Sequence, residues 1–111
     1  MKSISNPPPS KSTEFSTRPL EQVVIPLPEH FAFAHHRAFR TAYINKPIPV
    51  KGFIVDFAQT RSIDSAGLGM LLQLHEFALG DPKRIHLTNC APQIRETLVI
   101  AGFAEHATIG N

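Results

Sequence analysis

The residues best suited to chemistry lie in one stretch, Arg61-Ser62-Ile63-Asp64-Ser65-Ala66-Gly67-Leu68-Gly69-Met70-Leu71-Leu72. Asp64 stands just before an apolar helical pattern, so its carboxylate is expected to cap that helix by accepting bonds from first-turn amides. Ser65 then takes the first helical position. Unpaired N–H groups and the partial positive charge of a helix start favour an anion there. A phosphate on Ser65 would be tolerated without melting the helix, and would put up to about two negative charges beside Asp64 on whatever surface docks at this point. The chemistry expected is therefore modification of a hydroxyl that governs docking. Other reactive side chains lack companions. His35-His36 and His75 have no further ligands at metal-binding spacing. Cys90 follows an apolar run, as inert packing thiols do. Asp56 is expected to satisfy loop amides at a strand end. Gly67-Leu68-Gly69 lacks both the third glycine and the acidic residue about 20 positions on that a dinucleotide site needs. Neither a Walker loop nor a Gly-x-Ser-x-Gly elbow occurs. No enzymatic activity, metal or cofactor is expected.

The element that must position Ser65 is a helix over Ala66 to Leu79. Ser65, Gly69, Gln73 and Glu76 fall on one polar, partly bare stripe. Gly67, Met70, Leu71, Leu74, Phe77 and Ala78 fall opposite, with Leu68, Leu72 and Leu79 between. Two glycines near a helix start cost about 1 kcal/mol each against alanine, so they are expected to permit close backbone approach. Either Gly67 packs on the sheet and Gly69 is incidental, or the face docks another protein. Gly80-Asp81-Pro82 stops the helix, with Gly80 at the left-handed cap. Upstream, Val23-Val24-Ile25 is a short strand ended by Pro26 and Pro28. His35 to Tyr43 has helical spacing, closed by Asn45-Lys46-Pro47, and Val50 to Phe57 is apolar on both faces, as a central strand is. Downstream come a strand at Ile85 to Thr88 and a helix opened by Pro92 that carries Ile94, Leu98 and Ala101. Gly102 ends that helix with Phe103 packing back on Leu98, and a short strand is expected over Ala107 to Ile109. Strand–helix alternation of this kind gives an α/β fold, a single domain with a mixed, mostly parallel sheet and helices packed on it.

Composition sets the rest. Of 111 residues, 42% are hydrophobic, which suits one domain plus a tail. Residues 1–22 carry Pro7-Pro8-Pro9, Pro19, five Ser and two Thr, too little apolar surface to order themselves. They are expected to be a flexible tail, with the domain over 23–111. Met1 to Asn6 leads into prolines, unlike a secretory signal peptide. One Cys excludes an internal disulfide framework and fits a reducing, cytoplasmic setting. No run approaches the ~20 apolar residues of a membrane span. Eleven Lys and Arg against nine Asp and Glu, scattered, argue against direct nucleic-acid binding.

Ile63 to Leu72 resembles the signature loop and helix of STAS domains, the family of the anti-sigma factor antagonists. Phe31-Ala32-Phe33-Ala34-His35 followed by Phe39 is similar to that family's approach to its first helix. Ile85-His86-Leu87-Thr88-Asn89-Cys90, followed by Ile94, Leu98 and Gly102-Phe103, is similar to its late strand and third helix. The resemblance implies a bacterial partner switch. The unmodified protein binds an anti-sigma factor that is also a serine kinase, releasing the sigma factor; the kinase phosphorylates the loop and a protein phosphatase reverses it. Many antagonists read Asp-Ser-Ser-Gly and are phosphorylated on the second Ser, where this chain has Ala66. Stressosome-type members carry the acceptor directly after the Asp, and that resemblance makes Ser65 the phosphoacceptor. A member that is not phosphorylated, or an alanine replacing an original Ser, are the other readings of Ala66. The implied partner surface is Asp64, Ser65, Ala66, Gly67, Leu68, Gly69, Leu72 and Gln73. A rival branch also resembles this chain: STAS subunits of phospholipid-trafficking ABC transporters, whose Asp-Thr-Ala-Gly-Leu loop docks on the ATPase subunit. The first-helix approach and Leu87-Thr88-Asn89-Cys90 favour the antagonist branch. The edge strand at Val23 to Ile25 leaves pairing with a second copy or solvation equally open.

Overall fold

Alternation in Gln22–Pro26 makes it a strand, the first among the described residues and labelled β1: Val23 and Ile25 are buried while Val24 faces outward. The computed structural model describes residues 22–46 and 51–110. The expected tail up to residue 21, together with Pro47 and Val50, lies outside the described residues. Pro26 closes β1 from within the strand, at the edge of the sheet among the described residues, where no described neighbour needs its missing N–H.

β3 (Gly52–Asp56) is the central strand that its apolar run predicts, with Phe53 and Val55 fully buried. Phe57, expected to belong to it, lies just beyond but still donates its N–H to the Thr88 carbonyl at 2.9 Å. Among the described residues, β5 (Ile85–Thr88) and β6 (Thr108–Ile109) join the sheet to give four strands in the order β1-β3-β5-β6, parallel at every pairing. Parallel neighbours require crossovers, and three helices provide them: α1 (His36–Ile44), α2 (Ser65–Phe77) and α3 (Pro92–Ile100). His35, expected to open α1, instead ends a 3-10 segment, Phe33–His35, that leads into it.

Helix ends follow local chemistry. α2 stops two residues short of Leu79, because Leu79 and Gly80 both adopt left-handed backbone, φ 65° and 69°. Gly80 does so without strain, whereas Leu79 is a β-carbon-bearing residue in a region that disfavours it. Gly102 ends α3 at φ 89°, its N–H donating to the Val99 carbonyl at 3.0 Å, and Phe103 is buried beside it. Between α1, α2 and the sheet runs a chain of rings. Phe31 meets Phe39 at 5.1 Å, Phe39 meets Tyr43 at 5.6 Å, and Tyr43 meets Phe77 at 5.0 Å. Edge-to-face pairs of this type add about 0.5–1.5 kcal/mol each beyond burial. Burial also pushes the Tyr43 hydroxyl pKa up, with Arg40 partly opposing it.

Outside the main sheet, β2 (His30–Phe31) pairs in parallel with β4 (Ser62–Ile63). This two-residue ladder sets the stage for the site.

Candidate functional site

The segment between β3 and α2 is pinned at each step. Asp56 accepts from the Ala58 N–H at 2.9 Å and from the Asn89 side-chain amide at 3.0 Å, the loop role expected of it. Thr60 is buried and donates its hydroxyl to the Pro28 carbonyl at 3.0 Å. Arg61 and Ser62 both donate backbone N–H groups to the Glu29 carbonyl, at 2.7 and 3.2 Å. Asp64 donates its N–H to the Phe31 carbonyl at 3.2 Å. The turn that carries the signature therefore hangs on residues 28–31.

From that anchored position Asp64 caps α2. Its backbone is extended and its Oδ1 accepts the Gly67 N–H at 2.8 Å. The cap fixes the helix start while Ser65, at the first helical position, stays exposed. Gln73 and Glu76 are exposed on the same side, Gly69 is partly exposed, and Leu72 is 40% exposed, a sizeable apolar group left in solvent. Ala66 and Leu68 are half-buried at the flanks, with Leu68 packed against the core. Met70, Leu71, Leu74 and Ala78 are buried, as the periodicity predicts.

Gly67 takes the inward place that the helical period gives it, and not the outward one that the implied partner surface asks of it. It is buried, and a Cβ there would stand 2.7 Å from the Phe31 carbonyl oxygen and 2.9 Å from Ile63 Cγ1. Its missing side chain lets α2 sit directly on the β2–β4 ladder. Gly67 supports the exposed side of α2 from beneath.

Beside the turn lies a polar cluster that sequence reasoning missed. His30 Nδ1 and the Ser62 hydroxyl are 2.8 Å apart, and Arg61 pairs with Glu29 at 3.3 Å. All four side chains are exposed. Their partners are 32 positions apart in the chain, and a two-residue ladder leaves no periodic trace; the only signal is the polar pair Glu29-His30 following Pro26-Leu27-Pro28. Elsewhere, burial raises the Cys90 thiol pKa, with Arg95 partly offsetting it. Among the described residues, no three His, Cys, Asp or Glu converge where they could hold a metal ion. No helix among them is long and apolar enough to cross a membrane.

A family model described as "Mlab, STAS domain" matches residues 16–109. The chain belongs to the STAS family. Its match begins six residues ahead of β1, inside the segment read from composition as a tail. A STAS-domain containing protein of Pseudomonas aeruginosa (strain UCBPP-PA14) is 35% identical over 85 residues, covering 77% of this chain and 84% of that protein. The STAS fold seen here is similar to that of a sulfate transporter family protein from Wolinella succinogenes, with TM-score 0.68 and 18% identity over 93% of this chain and 87% of the other. It is also similar to the anti-sigma factor antagonist SpoIIAA in its unphosphorylated form, with TM-score 0.61 and 22% identity over 86% and 84% of the two chains. Bacillus SpoIIAA in the phosphorylated form gives 0.56 and 22% over 82% and 84%. At these identities the structural likeness establishes the fold: a single α/β domain with a mostly parallel sheet, as the alternation of elements predicts.

Proposed function

We propose that this STAS domain is an anti-sigma factor antagonist that works by phosphorylation-sensitive docking and catalyses nothing itself. The outward side of α2 binds an anti-sigma factor that is also a serine kinase, and a protein phosphatase resets the switch. The observation that carries this reading is the division of labour at the helix start. The Asp64 carboxylate is already committed to the Gly67 N–H, and Ser65 beside it is exposed on the face that holds Leu72 and Gln73. Transfer of a phosphoryl group to the Ser65 hydroxyl would change the charge of that face while leaving the cap in place. Likeness in fold to SpoIIAA supports the reading.

A second reading, an ABC-transporter STAS subunit, is favoured by Ala66. Asp64-Ser65-Ala66-Gly67-Leu68 is similar to the Asp-Thr-Ala-Gly-Leu loop of that branch. In it the same face is a permanent contact with an ATPase subunit. Capture of the tagged full chain from its native cell, with mass spectrometry of what co-purifies, separates the two. A serine kinase of the anti-sigma type, lost on Ser65→Glu, is the expected result. An ABC ATPase with its permease overturns the antagonist reading.

A further inference from the structure

β1 stands at one end of the row β1-β3-β5-β6, and its far side meets no strand among the described residues. One bond shows which backbone groups point that way. Leu27 donates its N–H to the Asp56 carbonyl at 2.9 Å, so its backbone faces β3. These groups alternate from side to side along a strand. Those of Val23 and Ile25 therefore also face β3, and those of Gln22, Val24 and Pro26 face the open edge. Beneath the same edge lies a pocket of about 370 Å³, with Ile25 and Leu27 on one wall and Ala38 and Ala42 of α1 on another. An open edge beside an apolar pocket is what an added strand needs: main-chain bonds hold it, and the pocket takes an inward side chain.

A segment suited to that place is already tethered there. Residues 1–21 run directly into Gln22, and Phe15 is the one aromatic among them. Thr13-Glu14-Phe15-Ser16-Thr17-Arg18 has a period of two. Thr13, Phe15 and Thr17 suit the inner side of a pleated strand, and Glu14, Ser16 and Arg18 suit the outer one. Charged residues of this kind also keep a sheet edge from pairing further. Pro19-Leu20-Glu21 remain for a turn, within the range of about 2–5 residues usual in a hairpin. The family match, residues 16–109, reaches into the same segment.

We propose that residues 13–18 form a strand antiparallel to β1, with the Phe15 ring seated in the pocket between Leu27 and Ala42. A turn of Pro19-Leu20-Glu21 puts Arg18 opposite Gln22, Ser16 opposite Val24 and Phe15 opposite Ile25. Ser16 and Val24 then exchange both backbone bonds, while Phe15 and Thr17 share a face with the buried Ile25 and Val23. A slip of one residue would carry Phe15 to the outer face beside Val24. Pro26, opposite Glu14, has no N–H to give, so the ladder ends there. The segment has too little apolar surface to order by itself, and the pocket supplies what it lacks. The strand stands whichever partner α2 takes, because none of these residues belongs to the outward side of α2.

The test is nuclear Overhauser spectroscopy on the isotope-labelled full chain. Opposed residues that share no backbone bond bring their Cα atoms to about 4.5 Å in an antiparallel pair. Hα–Hα contacts are therefore expected for Phe15 with Ile25 and Thr17 with Val23, together with contacts from the Phe15 ring to the Leu27 and Ala42 methyls. In Phe15→Ser the Val24 amide is expected to exchange with solvent about tenfold faster or more. Ser16→Pro removes a donor from the ladder without altering the pocket, and is expected to do the same. The dispersion of amide signals from β3 and β5 reports that each variant is folded. Absence of both Hα–Hα contacts, or unchanged Val24 exchange in either variant, overturns the strand. Strand contacts without ring contacts at Leu27 and Ala42 overturn the pocket as the seat of Phe15. Contacts between labelled and unlabelled chains in a mixed sample overturn the proposal too, because a second copy would then be the occupant.

Discussion

Gly67 and Gly69 are two residues apart on one helix and meet opposite surroundings. A Cβ on Gly67 would run into the Phe31 carbonyl oxygen at 2.7 Å, and a backbone atom cannot swing aside as a side-chain end can. A Cβ on Gly69 would meet nothing within 4 Å. The inward glycine is required by the fold: it lets α2 rest on the ladder that anchors its own start. Packing within the domain asks nothing of the outward one, yet it carries the same loss of helix propensity. The two faces of α2 thus differ in what the domain asks of them, and on the docking reading proposed above the outward one answers to a partner.

Substitution separates the two faces, and the largest effect belongs to the inward one. Gly67→Ala is expected to cost about 1–3 kcal/mol through overpacking. Thermal unfolding should show this as a midpoint lowered by about 4–8 °C per kcal/mol for a domain of this size. An unchanged midpoint would mean that α2 can slide off Phe31, and the contrast between the glycines would collapse. Asp64→Ala should cost about 1 kcal/mol by removing the bond to the Gly67 N–H, while Asp64→Asn, which can still cap, should recover most of it. Equal losses in both variants would assign the effect to charge.

On the outward face the signs change. Gly69→Ala should stabilise the free protein by up to about 1 kcal/mol in denaturant titration and weaken capture of the docking partner. Stabilisation with full capture would remove Gly69 from the interface. Ser65→Glu should shift stability by no more than about 0.5 kcal/mol, since negative charge is favourable at a helix start. Partner capture should nevertheless be lost. Unfolding of that variant would make the Ser65 turn a structural element and defeat the docking account.

Much of this arrangement was legible in the sequence because punctuation and period agree. Gly80-Asp81-Pro82 and Gly102 mark helix ends, and the alternation around Val23 and Ile25 and the apolar run of Phe53 to Val55 mark strands. Asp64 was readable as a cap because capping needs only a short carboxylate before a helical pattern. What could not be read depends on contacts between distant residues. Pairing of His30-Phe31 with Ser62-Ile63 has too few residues for a period; the helical period puts Gly67 on the inward side, but only this pairing decides what Gly67 packs against. Leu79 ends α2 earlier than its apolar character predicts, since left-handed backbone at a leucine has no sequence marker.

The order of strands has a consequence for how the protein is made. In the four-stranded sheet, β1, β3, β5 and β6 stand side by side in the same order in which they leave the ribosome. Each strand completed by synthesis can join an edge that already exists, without displacing an earlier neighbour or waiting for a later one to fill a gap. Parallel pairing across about 30 residues is intrinsically slow to find. Growth in one direction, with N-terminal parts emerging first, restricts that search to a single open edge at a time.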